Sequence, residues 1–274
     1  MKIISHKLEK EHAAFIETKK TSGNFKAGRP DILVIHYTGS GNLESAVSTF
    51  LDPSVSASAH VLVDKNGQLT QMVPFNKVAW HAGRSTHLDR TGLNRYSIGI
   101  EVVNAGRLTP AGKSFVSWFG RKYPEEEAIQ ATHRNESEAG WWEQFTEAQI
   151  DSVFRLCKVL IATYPIKYIV GHEEISPGRK IDPGPAFPLD KLREKLLSGS
   201  RKDDTPAEEK TPEKGVVNAT ALNIRSGPSA QRETVAPALT RNTPLKILGK
   251  ENGWYRVETK ITGWVAARFV KPEN

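Results

Sequence analysis

The segment KYIVGHEEISPGRKIDPGPAF, residues 167–187, decides how this chain is read. It opens as an apolar run, Lys167 to His172, which reads as a buried strand ending in a histidine. It then breaks into turns, because Gly178, Pro183, Gly184 and Pro185 exclude a helix or a central strand. Pro locks φ and Gly permits unusual φ, so such a loop holds a fixed shape without regular hydrogen bonding. Fixed loops at strand ends are where α/β proteins present reactive groups. This one carries an imidazole, an amine and a carboxylate: His172, Lys180 and Asp182.

Two more runs have the same build. ILVIH (32–36) ends in His36, and SIGIEVV (97–103) carries Glu101 near its end. HVLVDKNGQLTQMV (60–73) reads as two strands around the turn pair Asn66-Gly67. EAQIDSVFRLCKVLIATY (147–164) places Ile150, Val153, Phe154, Cys157, Leu160, Ile161 and Tyr164 on one helical face. Thr146 and Gln149 form a capping box at its start, and Leu189, Leu192 and Leu196 mark a last short helix. Strands alternating with helices predict an α/β domain with a central mixed sheet flanked by helices.

The reactive residues make a coherent set. His36, His172 and Asp182 give two imidazoles and a carboxylate, which leaves a tetrahedral Zn²⁺ its fourth position for water. No Cys joins them, which argues against a closed structural zinc site. A zinc ion activates water for attack on a carbonyl. Glu101 is the candidate general base and acid, and Lys180 the candidate partner for an oxyanion. In SIGIEVV the alternation puts Gly99 and Glu101 on one face, so Gly99 is expected to leave room there for a ligand. Read singly, each residue also has an ordinary explanation: a core histidine, an exposed glutamate, a surface Lys–Asp pair.

Composition narrows the class. The 274 residues are 38% hydrophobic and 25% charged, which fits a soluble globular protein of one or two domains. No apolar run approaches the ~20 residues of a membrane span. The N-terminus lacks a signal-peptide core, its longest apolar stretch being Ala13 to Ile16. That leaves three options open for location: the cytoplasm, another export route, or the cell envelope after removal of a leader. Cys157, the single cysteine, excludes an internal disulfide and reads as a buried core thiol. The net charge of +7 favours polyanionic partners. Nucleic acid is set aside, because neither a helix-turn-helix pattern nor a basic stripe with aromatics is present.

SGSRKDDTPAEEKTPEK (198–214) has no large apolar residue and reads as a solvated linker. It separates residues 1–197, with a core over about 28–195, from residues 215–274. The second part shows short alternating runs divided by Gly, Pro and Asn, the pattern of a small all-β barrel. It holds nine Lys/Arg against four Asp/Glu, a net of +5, so most of the excess charge lies there.

The combination VIHYTGS (34–40), SAHVLVDKNGQLTQMVP (58–74), WHAG (80–83), SIGIEVVN (97–104), FTEAQI (145–150) and VGHEEISPGRKIDPGPAF (170–187) resembles the zinc-dependent N-acetylmuramoyl-L-alanine amidases of type 2. These are related to peptidoglycan recognition proteins and phage amidases. The resemblance covers about residues 28–195. It implies His36, His172 and Asp182 as zinc ligands, Glu101 as the catalytic glutamate and Lys180 as the catalytic lysine. It implies a substrate in peptidoglycan or its muropeptides. The alternative it leaves is a protein that binds muropeptides without cutting, although such relatives typically replace the third ligand and Asp182 is intact. Residues 215–271 resemble a bacterial SH3-like domain through LNIRSGPS, NGWYRV and GWVAARFV, which implies binding to the cell wall, or otherwise a spacer or dimerisation module.

Several residues lie outside that scheme. His60 and His81 are read as supports of the cleft, and His6, His12, His87 and His133 as solvated surface. Trp141 and Trp142 are read either as a stacking surface for sugar or peptide or as packing residues. The stretch from Arg121 to Gly140 is read as a polar loop walling the groove, and Trp254 and Trp264 as barrel core.

Overall fold

A computed structural model of the chain describes residues 1–197, 214–219, 221–228, 232–251 and 254–260. Its contacts divide into two units, Met1–Asp203 and Asp204–Asn274.

The first unit is built on a six-stranded sheet. Its order is Tyr168–Gly171, Ile32–Tyr37, Ser97–Val102, Val61–Val63, Leu69–Gln71, Ala13–Phe15. The first four strands run parallel, and Val61–Val63 turns back antiparallel into Leu69–Gln71. Gly67 makes that turn at φ 80°, and a Cβ there would sit 2.5 Å from the Ala148 carbonyl oxygen, so only glycine fits. The apolar runs are strands because both faces are covered, which is the environment of parallel sheets. Leu33, Ile35, Ile98 and Ile100 meet the helices Glu147–Thr163 and Leu189–Leu197 through Val153, Leu156, Cys157, Leu160 and Leu192. Each such side chain contributes about 1.5–3 kcal/mol on burial. On the opposite face Ile32, Val34 and Val170 pack on Ala82, Leu93 and Ile175. Helix Leu43–Leu51 covers Leu62 with Ala46 and Phe50. The capping box is present: Gln149 N donates to Thr146 Oγ1 at 3.1 Å and Thr146 N donates to Gln149 Oε1 at 3.0 Å. No helix among the described residues is long and apolar enough to cross a membrane.

Two regions depart from the sequence reading. The N-terminal stretch supplies strand Ala13–Phe15 to the sheet edge, and Thr21–Asn24 pairs with Lys77–Ala79. The stretch 121–140 is not a loop. It belongs to a five-stranded antiparallel sheet of order Lys122–Tyr123, Ser114–Ser117, Arg107–Ala111, Ala139–Glu143, Ala128–Thr132. One apolar face is enough for such a sheet, and Ala105, Leu108, Phe115, Tyr123 and Ala128, with Trp141, supply it.

The second unit shows strands Lys214–Val216, Pro244–Glu251 and Trp254–Glu258 in one antiparallel sheet, and Ala221–Leu222 paired with Leu239–Thr240. Trp254 is half-buried. Trp264, the rest of GWVAARFV and residues 198–213 of the expected linker lie outside the described residues.

Candidate metal centre

Strand register brings the reactive residues together. Glu101 and His36 are direct partners on neighbouring parallel strands, and Gly171 pairs with Ile35, so His172 emerges beside His36. Alternation turns His36 and Glu101 to the face opposite helices Glu147–Thr163 and Leu189–Leu197. His172 opens the short helix His172–Ile175, and the loop after it returns Asp182 to that helix: Glu173 N donates to the Asp182 carbonyl at 2.8 Å.

Three atoms converge there. His36 Nδ1 lies 3.0 Å from His172 Nδ1 and 2.9 Å from Asp182 Oδ2, and His172 Nδ1 lies 3.0 Å from that same oxygen. The tautomers follow from the other ring nitrogens. His172 Nε2 lies 3.1 Å from the Ala82 carbonyl, an acceptor, and 3.3 Å from Arg179 Nη2, which itself donates to that carbonyl, so the shorter contact assigns the proton to Nε2. His81 Nε2 donates to the Ser97 carbonyl at 3.2 Å, which leaves His81 Nδ1 to accept from His36 Nε2 at 3.0 Å. Both Nδ1 atoms therefore direct lone pairs at a carboxylate oxygen. Three mutually repelling donors this close fit a shared cation, and two imidazoles with one carboxylate suit zinc. The set is buried.

Burial keeps His36 and His81 neutral. Burial, then the imidazole of His172, lowers the pKa of His36 to about 4 against the pull of Asp182. Burial, with His36 and His60 nearby, holds His81 well below its ordinary value. Burial pushes the Asp182 carboxyl up, but its close contacts with His172 and His36 outweigh that push, and the net shift is down. His60 is fixed likewise, with Nε2 donating to the Lys77 carbonyl at 2.9 Å and Nδ1 accepting from Gly99 N at 3.0 Å. His60 and His81 thus stand behind the ligands rather than among them.

Glu101 is 8% exposed, and its buried Oε2 has no hydrogen-bond partner among the described residues. Burial, then the charge of Asp182, raises its pKa well above the usual range, while Lys180 opposes the shift. Lys180 is half-buried on the loop before Asp182, and its charge is felt at both His36 and Glu101. One expectation fails here. The space beside Gly99 is not open to a ligand, because a Cβ there would lie 2.3 Å from the ring of His81. Gly99 makes room for an internal support instead.

The five-stranded sheet also reaches this loop, through residues the sequence reading placed elsewhere. His133 is not on the surface: it is 1% exposed and its Nε2 lies 2.7 Å from Glu173 Oε2. The same oxygen accepts from Gly184 N at 3.0 Å. Trp142 is buried, stacks on His133 with centroids 5.7 Å apart, and packs against Gly184. Trp141 is half-buried against Phe115. Of the two readings open for these tryptophans, Trp142 follows the packing one, and Trp141 packs on the apolar face of the five-stranded sheet. A His followed by Arg134 and Asn135 in a polar stretch gave no apolar periodicity by which its burial shows. His6 is exposed and bonds Tyr164, while His12 and His87 are half-buried.

Residues 26–185 match the family described as N-acetylmuramoyl-L-alanine amidase, and residues 220–271 match the bacterial SH3 domain. The N-acetylmuramoyl-L-alanine amidase AmiD of Escherichia coli K12 is 37% identical over 173 residues, which is 60% of this chain and 52% of AmiD. The 1,6-anhydro-N-acetylmuramyl-L-alanine amidase AmpD of Haemophilus influenzae is 32% identical over 176 residues, 57% of this chain and 77% of that protein. A crystal structure of AmpD superposes with a TM-score of 0.52 at 26% identity, covering 70% of this chain and 98% of that one. The chain thus spans about half the length of AmiD and most of AmpD.

Proposed function

The chain belongs to the N-acetylmuramoyl-L-alanine amidase family, and on that premise we propose that it hydrolyses the amide between the lactyl group of N-acetylmuramic acid and the L-alanine of the stem peptide. The bond is the one the names of AmiD and AmpD share. The observation that carries the reading is the triangle of lone pairs from His36, His172 and Asp182, with Glu101 Oε2, which has no hydrogen-bond partner among the described residues, on the adjoining strand.

His36, His172 and Asp182 would hold zinc. When bound, zinc supplies Lewis acidity toward a carbonyl and a more acidic water. The remaining work falls to the chain. Glu101, ionised, takes a proton from the attacking water as its oxygen bonds to the carbonyl carbon. Lys180 offers an ammonium to the oxyanion that forms. As the C–N bond breaks, Glu101 returns the proton to the alanine nitrogen, leaving a lactyl carboxylic acid and a free amine. The raised pKa of Glu101 suits both halves of that exchange. His81 and the Ala82 carbonyl fix the ligand rings, so the site needs little reorganisation. The basic SH3-like part would hold the enzyme on an anionic wall and raise local substrate concentration.

Digestion of purified sacculi with the wild type, Glu101→Ala and a chelated sample, with products identified by mass, tests this. Free stem peptides are expected from the wild type alone. Cuts within the glycan chain, or between residues of the peptide, overturn the assignment.

A further inference from the structure

The hairpin tip of the five-stranded sheet presents an aromatic pair that the reaction above does not use. Trp118 is 78% exposed and Phe119 is 36% exposed, with rings set edge to face at 5.5 Å between centroids. The tip is not loose. Ser117 N donates to the Arg121 carbonyl at 2.9 Å and closes the turn. Trp118 Nε1 donates to the Gly39 carbonyl at 2.8 Å, and Arg121 Nη1 donates to the Gly41 carbonyl at 2.7 Å. Gly41 lies so close that a Cβ would meet Phe119 and Arg121 at 3.2 Å. The only polar atom of the indole is thus spent on an anchor, while the ring face stays in water. Folding thus holds an exposed aromatic pair in a fixed position without burying it, as a stacking platform for a ring requires.

The location matters. Gly39 follows the metal ligand His36 by three residues, so at ~3.6 Å per residue the anchor lies within roughly 11 Å of it along the chain. The patch is two side chains wide, far below the ~1,000 Å² that a stable protein partner needs. It suits a small flat ring with an apolar face and a polar rim, as a pyranose has.

We propose that Trp118 and Phe119 form a sugar platform that takes a hexosamine ring of a glycan strand, beside the muramyl unit whose amide is cut. The proposal rests on the amidase reading and specifies its substrate: a polymeric strand rather than a one-sugar fragment. An immobilised aromatic loses little entropy on binding, so its face contributes most of its contact energy to the complex.

The test uses the zinc-loaded full chain and a peptide-free tetrasaccharide of alternating N-acetylglucosamine and N-acetylmuramic acid, with binding read by calorimetry. Trp118→Ala is expected to weaken binding about tenfold and Trp118→Tyr by no more than about threefold. The KM for long peptide-bearing strands should rise by the same factor in Trp118→Ala. If that variant melts lower than the wild type, Phe119→Ala, whose ring carries no tether, gives the same readout with a smaller loss. Wild-type and Trp118→Ala proteins binding the tetrasaccharide equally well overturns the platform, and so does a wild type that does not bind it. The ligand contains no scissile amide. A failed sacculus digestion with intact sugar binding therefore sinks the hydrolase reading alone, and the reverse pattern sinks the platform alone.

Discussion

In the six-stranded sheet Ile32, Leu33, Val34 and Ile35 are all fully buried, whereas Ala128–Thr132 of the five-stranded sheet alternates between covered and open positions. The first sheet is packed on both faces and delivers His36, Glu101 and His172 from the ends of its strands. The second is packed on one face, offers no metal ligand, and touches the site through the His133–Glu173 pair and Trp142. The contrast separates two tasks. Chemistry comes from strands whose register cannot shift, because a slip of one residue would turn every side chain over. Support comes from an added layer that holds the loop between His172 and Asp182.

That division is breakable, beginning with the chemistry. Glu101→Ala should lower amide hydrolysis by about 10²–10⁴-fold while zinc content, measured by mass spectrometry of the intact protein, stays as in the wild type. Zinc loss in that variant would make Glu101 a structural element of the centre. Next, Trp142→Ala should lower the free energy of unfolding by about 3–5 kcal/mol in denaturant titration, because it empties a closed space between His133 and Gly184. A loss under about 1 kcal/mol would mean that the second sheet collapses readily around the gap.

Acid sharpens the comparison from the side of the first sheet. Burial lowers His60 from 6.5 to about 4, so the unfolded chain takes up its proton first. The stability that neutral His60 provides is complete above pH 6.5 and is lost as pH falls toward 4, on the order of 3 kcal/mol in all. Melting temperatures of the metal-free protein should drop over that window, and His60→Gln should flatten the slope. From the side of the second sheet, His133→Ala should weaken zinc binding by about tenfold in competition with a chromophoric chelator. Unchanged affinity would show that the layer covers the loop without positioning it. The smallest effect belongs to Glu136→Gln, which breaks an exposed ion pair with Arg107 and should change stability by less than about 1 kcal/mol.

The same contrast explains what the amino-acid sequence reveals. ILVIH, SIGIEVV and KYIVGH announce themselves because strands buried on both faces need unbroken apolar runs. The site follows, since each run carries its polar residue at the end and the Pro–Gly loop carries the rest. AIQAT and AGWWE are equally regular strands, but a one-sided sheet needs only a few apolar residues, and Arg, Glu and Ser between them read as loop. His133 stays hidden for a further reason: its partner, Glu173, is forty positions away, and only the fold supplies the contact. Gly99 misleads in the opposite direction. A missing side chain shows where room is needed and not what fills it, here the ring of His81.

The pairing of Glu101 with His36 and of Gly171 with Ile35 has a consequence for how this chain tolerates changes in length. Deleting or inserting a single residue inside any of those three strands would point its reactive group into the helices. Changes in length are therefore confined to the connections, and the path from Val103 to Phe145 carries an entire second sheet. A designer seeking to graft a new recognition surface onto this scaffold would start at the hairpin tips there, where added residues leave the alignment of the three strands intact.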